Sequence, residues 1–149
     1  METVFDQTLV SRLLFTLVAV MISVGPIFAD FNKTHATNPL WTPHARFHVV
    51  WQVLSQTGIS LVILYLLWWD AADYLTHIWV AAMLNYVWGA SFYATLASMP
   101  VYGGALKDVN GIKPFRFNIF GTVYLVDTNL FGGTVLMIVN TIGVVLLIQ

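Results

Sequence analysis

Long apolar runs broken by short polar punctuation divide this chain into four candidate membrane helices, at about residues 10–28, 43–69, 75–97 and 130–148. Each is close to the roughly 20 apolar residues that a helix needs to cross a hydrocarbon core. The first run closes or kinks at Gly25-Pro26, where the ring removes a helix hydrogen bond. The second opens with a sharp signal: Thr42 is a natural N-cap, and Pro43 takes the first helical position, where its missing N–H costs nothing. A tight WWDAADY connection follows, in which Asp70 is placed to cap the third helix with Asp73 at its third position. That helix is expected to stop before Met99-Pro100.

Between residues 100 and 129 the pattern breaks. Gly-Gly, Asn-Gly and Lys-Pro mark turns, and residues 119–126 read equally as a short interfacial helix or an extended stretch. No repeat or low-complexity segment is visible. The fold class expected is all-α: a membrane four-helix bundle forming one domain over residues 1–149, with a long loop between helices three and four.

Composition strengthens the membrane reading. The chain is 58% hydrophobic and 9% charged, with a mean hydropathy of +0.78. A soluble domain carries about a quarter charged residues to solvate its surface. The 15% aromatic content suits a chain with two bilayer boundaries to populate. A net charge of −1 with no basic cluster excludes a nucleic-acid partner on electrostatic grounds. The absence of cysteine removes disulfides, thiolate metal sites and cysteine nucleophiles. Acidic Glu2 and Asp6 precede the first basic residue, Arg12, which is the reverse of a secretory signal, so the first run is expected to be a retained helix. Lys33, Arg46, Lys107, Lys113 and Arg116 all fall in or beside loops one and three. By the positive-inside rule those loops are cytoplasmic and both termini outside.

Candidate chemistry concentrates on helix two. His44, His48, Gln52, Gln56 and Ser60 recur every fourth residue, with Ser55 beside them. Residues four apart share a helix face, so this is a polar ladder descending from the membrane edge. Such groups are costly against lipid, and the ladder is expected to face the bundle interior or a wet pocket, leaving Val49, Val53 and Leu54 for lipid. Interhelical hydrogen bonding explains Gln52, Gln56 and Ser60 equally well. Two histidines one turn apart at a helix entrance are harder to explain as packing, because imidazole exchanges protons near neutral pH.

These residues define the expected site. His44 and His48 are the acid/base pair, with His35 or Asp127 as an orienting partner. Gln52, Gln56, Trp41, Asn38 and Arg46 contact the ligand, and Asn85 and Asn140 line the pocket floor. No cofactor is required. A metal held by His35, His44 and His48 is a weaker alternative, since no Glu follows His44 in an H-E-x-x-H pattern. Haem is weaker still, because two histidines on one helix cannot reach both faces of a porphyrin. Asp70, Asp73 and His77 have a metal-like spacing that helix capping also explains. The loop between helices three and four, about thirty residues long, exceeds what a bare connection needs and suits a lid.

The segment THATNPLWTPHARFH, residues 34–48, resembles a shared feature of a group of small multi-span membrane proteins with no established activity. The feature is His35, Asn38, Pro39, Trp41, Pro43, His44, Phe47 and His48, followed by Gln52. The resemblance supports the choice of site and implies no chemistry. The function expected from the residues is an acid/base enzyme, of isomerase, cyclase or epoxide-opening type, acting on a lipophilic substrate reached from membrane lipid. The alternative is an accessory subunit packed among neighbouring subunits of a photosynthetic or respiratory complex, with a pigment or haem contact.

Overall fold

The computed structural model describes residues 6–149; residues 1–5, including Glu2 and the N-terminal part of the retained-helix expectation, lie outside the described residues. Four helices form in chain order: α1 (Gln7–Asp30), α2 (Pro43–Trp68), α3 (Tyr74–Tyr102) and α4 (Thr128–Leu147). The expected Thr42 cap holds α2, and Asp127 caps α4. The Thr42 hydroxyl accepts from the Ala45 amide at 3.2 Å, and Asp127 accepts from Asn129 and Leu130 amides at 2.9 and 3.2 Å. For α3 the cap is Asp73 rather than Asp70: its carboxylate accepts from the Thr76 amide at 3.4 Å.

Neither proline stops its helix. Pro26 lies inside α1, and α3 runs through Pro100 to Tyr102. Pro100 falls in the last turn, where few downstream hydrogen bonds are lost. Nearby side chains bond to the preceding turn: the Ser98 hydroxyl donates to the Ala94 and Thr95 carbonyls, and Tyr102 Oη donates to Thr95 O at 2.9 Å. Gly103, at φ +66°, then ends the helix in the left-handed region.

The chain is not purely all-α. Strands β1 (Phe115–Ile119) and β2 (Thr122–Val126) pair antiparallel, Phe115 opposite Val126 and Ile119 opposite Thr122. The undecided stretch is therefore extended. Alternating aromatic and β-branched residues favour a strand, and Phe120-Gly121, at φ +49° and +82°, make the two-residue turn whose twist matches a hairpin.

In the bundle, α1 packs most extensively on α2 and α4; α3 packs on both α2 and α4 and touches α1 across the diagonal. Phe15, Val18, Ala19 and Ile22 of α1 meet Ile63 and Leu67 of α2 and Ile78, Ala81 and Ala82 of α3. Small residues permit this closeness. A Cβ on Gly143 of α4 would lie 2.6 Å from the Phe15 ring, so only glycine fits where α1 and α4 meet. At the far end, Arg12 donates to the Leu67 carbonyl from Nε at 2.8 Å and from a second guanidinium nitrogen. Its guanidinium also stacks over the Trp68 ring at 4.5 Å. A cation thus sits at the negative end of the α2 dipole.

Three helices, α1, α2 and α4, are long and apolar enough to cross a membrane. Helix α3 is not among them: Asn85, Tyr86, Trp88, Ser91, Tyr93 and Thr95 dilute its apolar character.

Candidate functional site

The turn of α2 decides where the polar ladder points. Its buried residues are Val49, Val53, Ser60, Ile63 and Leu67, spaced by fours and threes like a packing seam. His44, His48, Gln52 and Ser55 are exposed on the outside of the bundle. This reverses the expected orientation at the top of the helix. A step of four residues overshoots one turn by about 40°, so four steps rotate the ladder by roughly 160°. His44 and Ser60 therefore lie on nearly opposite faces. Gln56 is half-buried and Ser60 is buried, as expected for the lower rungs, while Val49 and Val53 are core rather than lipid-facing.

On that outer face the Nε2 atoms of His44 and His48 approach to 3.0 Å. Phe47 and Trp51 complete a stripe at i+3 and i+7 from His44. The Phe47 ring stacks on His44 at 6.3 Å and meets His48 edge-on at 5.8 Å, and Trp51 lies 5.9 Å from His48. Both aromatic rings are largely open, Phe47 at 60% and Trp51 at 58% exposure. Two neutral imidazoles in nitrogen-to-nitrogen contact must differ: one donates a proton and the other offers its lone pair. The face therefore carries a hydrogen-bond donor and an acceptor side by side, bracketed by aromatic rings.

His35 is not part of it. Its Nδ1 lies 2.8 Å from the Thr34 hydroxyl and 3.3 Å from the Asp30 carboxylate at the end of α1. Its ring meets Trp41 edge-on at 5.2 Å. Among the described residues no three His, Asp or Glu side chains converge, so the three-histidine metal alternative is not assembled. The Asp127 carboxylate is committed to the cap of α4. Arg46 is half-buried, two residues round the helix from His44, and its buried Nε lacks a partner among the described residues.

A second cluster joins loops one and three at this end of the bundle. Asn38, 0% exposed, donates to Thr34 O at 2.9 Å and Asn110 Oδ1 at 3.0 Å. Its Oδ1 accepts from the Leu40 amide at 3.0 Å and from Asn110 Nδ2 at 3.2 Å. Both donors and both acceptor positions of the amide are thereby filled, leaving no free valence for a ligand. Trp41 Nε1 donates to Asp108 at 2.8 Å. That bond, and next the Asn110 amide, hold the Asp108 carboxyl below its ordinary range. Asp108 and Asn110 come from the long loop expected to serve as a lid, and their pairing with Trp41 and Asn38 is what the structure adds. The Asp-x-Asn spacing across a turn was the available signal.

Asn85 and Asn140 are buried between the helices. They bond to each other at 3.0 Å; Asn85 also donates to Phe15 O at 3.3 Å and Asn140 to Ala82 O at 3.2 Å. Together they tie α1, α3 and α4. Among the described residues the two clearest depressions are open grooves, one between α3 and α4 at Tyr93 and Thr141 and one on the hairpin at Lys113 and Arg116; neither includes a histidine.

The model of a family of unknown function, DUF6640, matches residues 14–129, from the first turns of α1 through the hairpin to the start of α4. The chain belongs to this family. The match contains the His44–His48 face, the loop clamp and the hairpin. No curated protein and no solved structure matches the chain. DUF6640 membership thus covers these features with one family match and leaves their chemistry to be argued from geometry.

Proposed function

We propose that the protein is a four-span membrane enzyme that performs acid/base chemistry on a lipophilic substrate at the bilayer boundary. The observation carrying this reading is the 3.0 Å contact between His44 Nε2 and His48 Nε2 on an exposed, aromatic-flanked helix face. At about 1.5 Å per residue the 29 residues of α3 exceed a bilayer core, and α3 is the fourth span, kept tolerable by packing against the other three helices. Loops one and three are cytoplasmic.

The site opens sideways to lipid rather than into the bundle. A hydrophobic ring or chain lies across Phe47 and Trp51 while a polar atom reaches the imidazole pair. One histidine gives a proton and the other takes one, which suffices for isomerisation, cyclisation or epoxide opening. Gln52, one turn deeper, supplies a further hydrogen bond. His35, Asp127, Asn38 and Trp41 act elsewhere and take no part in the step.

The test is to purify the full chain with His44→Gln or His48→Gln in mild detergent and identify co-purified lipids by mass spectrometry. Loss or change of a specific bound lipophile in both variants supports the reading. An unchanged lipid profile from stably folded variants overturns it.

A second reading draws on Gln52 and Ser55, which are exposed well inside the span. Polar groups facing lipid are disfavoured, and a neighbouring subunit of a larger assembly would cover them. A stable, coloured large complex in mild detergent favours this reading; a colourless monomer or dimer counts against it.

A further inference from the structure

We infer that the β1–β2 hairpin is a membrane-surface anchor that inserts its tip among lipid headgroups and selects anionic ones. Its place in the chain limits where it can be. The last residue of β2, Val126, is followed by the cap Asp127 and then by the first residue of α4, an apolar spanning helix. The Thr128 hydroxyl donates to the Lys113 carbonyl at 3.0 Å, fixing the root of the hairpin on the helix N-terminus. The root therefore sits at the membrane boundary.

Its side chains suit that position. On one face, Phe115 and Phe117 pack against Phe131, one turn into α4, at centroid distances of 5.3 and 5.9 Å. The apolar face of the hairpin is thereby continuous with the surface of the spanning helix. All three rings remain partly open, and Phe120 at the tip is 104% exposed. An aromatic residue held at positive φ on a fully exposed turn is unusual for a chain that ends in water. On the other face, Lys113 and Arg116 border an open groove with Pro114, Val123 and Leu125. Five of the six Lys and Arg residues lie at this end of the bundle, in or beside loops one and three, against Asp30, Asp108 and Asp127 there. That excess of positive charge complements phosphate-bearing anionic headgroups. An isolated two-stranded hairpin is marginal in water, and burial of its apolar residues in the interface stabilises it.

The chain has no cysteine, so single probes can be placed without background. The full-length protein carrying Phe120→Cys, or Ile119→Cys as a second tip site, is labelled with a fluorophore. It is then reconstituted in phosphatidylcholine vesicles with and without phosphatidylglycerol. Val109→Cys, on the exposed loop, is the reference. The anchor predicts that tip labels are quenched several-fold more by lipid-attached quenchers than by aqueous iodide, with the opposite order at Val109. It also predicts deeper tip quenching with phosphatidylglycerol, an increment lost in Lys113→Gln/Arg116→Gln. Iodide quenching at the tip equal to that at Val109 overturns the anchor. So does tip protection that vanishes when the protein is diluted in the bilayer, which assigns the surface to a second copy. A phosphatidylglycerol increment that survives loss of both basic residues overturns the headgroup selection. Neither readout depends on the histidine site.

Discussion

Two polar clusters stand at the same end of the bundle and are built in opposite ways. In the loop clamp, Asn38 has every hydrogen-bonding position filled by Thr34, Leu40 and Asn110. On the outer face of α2, His44 and His48 bond only to each other among the described residues and stand open beside two exposed rings. A saturated buried amide holds structure and has nothing left to offer a ligand. An open donor–acceptor pair contributes little to folding and keeps its chemistry available. The contrast separates the residues of one contiguous segment, 35–48, into those that fasten and those that face outward.

The strongest way to break this contrast is Asn38→Ala. It removes a fully buried amide and its four hydrogen bonds to Thr34, Leu40 and Asn110 and is expected to cost about 3 kcal/mol, read as a fall in melting temperature in detergent. Gly143→Ala tests whether the bundle below the clamp is equally unforgiving. The added methyl meets the Phe15 ring, a rigid neighbour, and overpacking of this kind costs about 2 kcal/mol. Asn140→Leu removes the tie to Asn85 and Ala82 at a cost of about 1 kcal/mol or less, because hydrogen bonds between membrane helices are weak on average. A loss as large as that at Asn38 would show that the asparagine pair is also indispensable.

Acid sharpens the comparison. The Asp108 carboxyl is held below its ordinary range, chiefly by the Trp41 indole N–H. A group whose folded pKa is depressed stabilises above the unfolded value, about 3.9 for Asp, and loses that contribution as pH falls through the folded value. Hydrogen exchange in loop one should therefore stay slow at neutral pH and accelerate only in strong acid. Trp41→Phe should remove this acid step. The smallest expected stability effect is at the open face: His44→Gln and His48→Gln should each shift stability by no more than about 0.5 kcal/mol. A large destabilisation there would return the histidines to a structural role.

Local signals carried the helices and most of their caps. Thr42-Pro43 fixed the start of α2 because capping chemistry and proline geometry act within a few residues. Asp127, expected beside the histidines, caps α4 instead. Pro100 misled, since a proline in a final turn removes one i→i−4 hydrogen bond and has little helix after it to disturb. Residues 119–126 are too short to separate helix from strand, and residues 115–118 read as loop beside Lys-Pro; the Phe120-Gly121 turn and the pairing of Phe117 with Tyr124 make both strands.

The apolar and polar pattern by itself determined that this is a helical, lipid-compatible chain, where α2 begins, and that His44 and His48 sit one turn apart. Only the tertiary structure decided which way they point. A ladder of fourth residues turns round its helix, and the core claimed Val49, Val53 and Ser60 because those are the positions that meet α1 and α3. Nor could spacing reveal that Asn38 and Trp41 would be spent on Asn110 and Asp108, residues about seventy positions away. Such pairings arise when helices bring distant loops to one end of a bundle, and they leave no local trace in the chain.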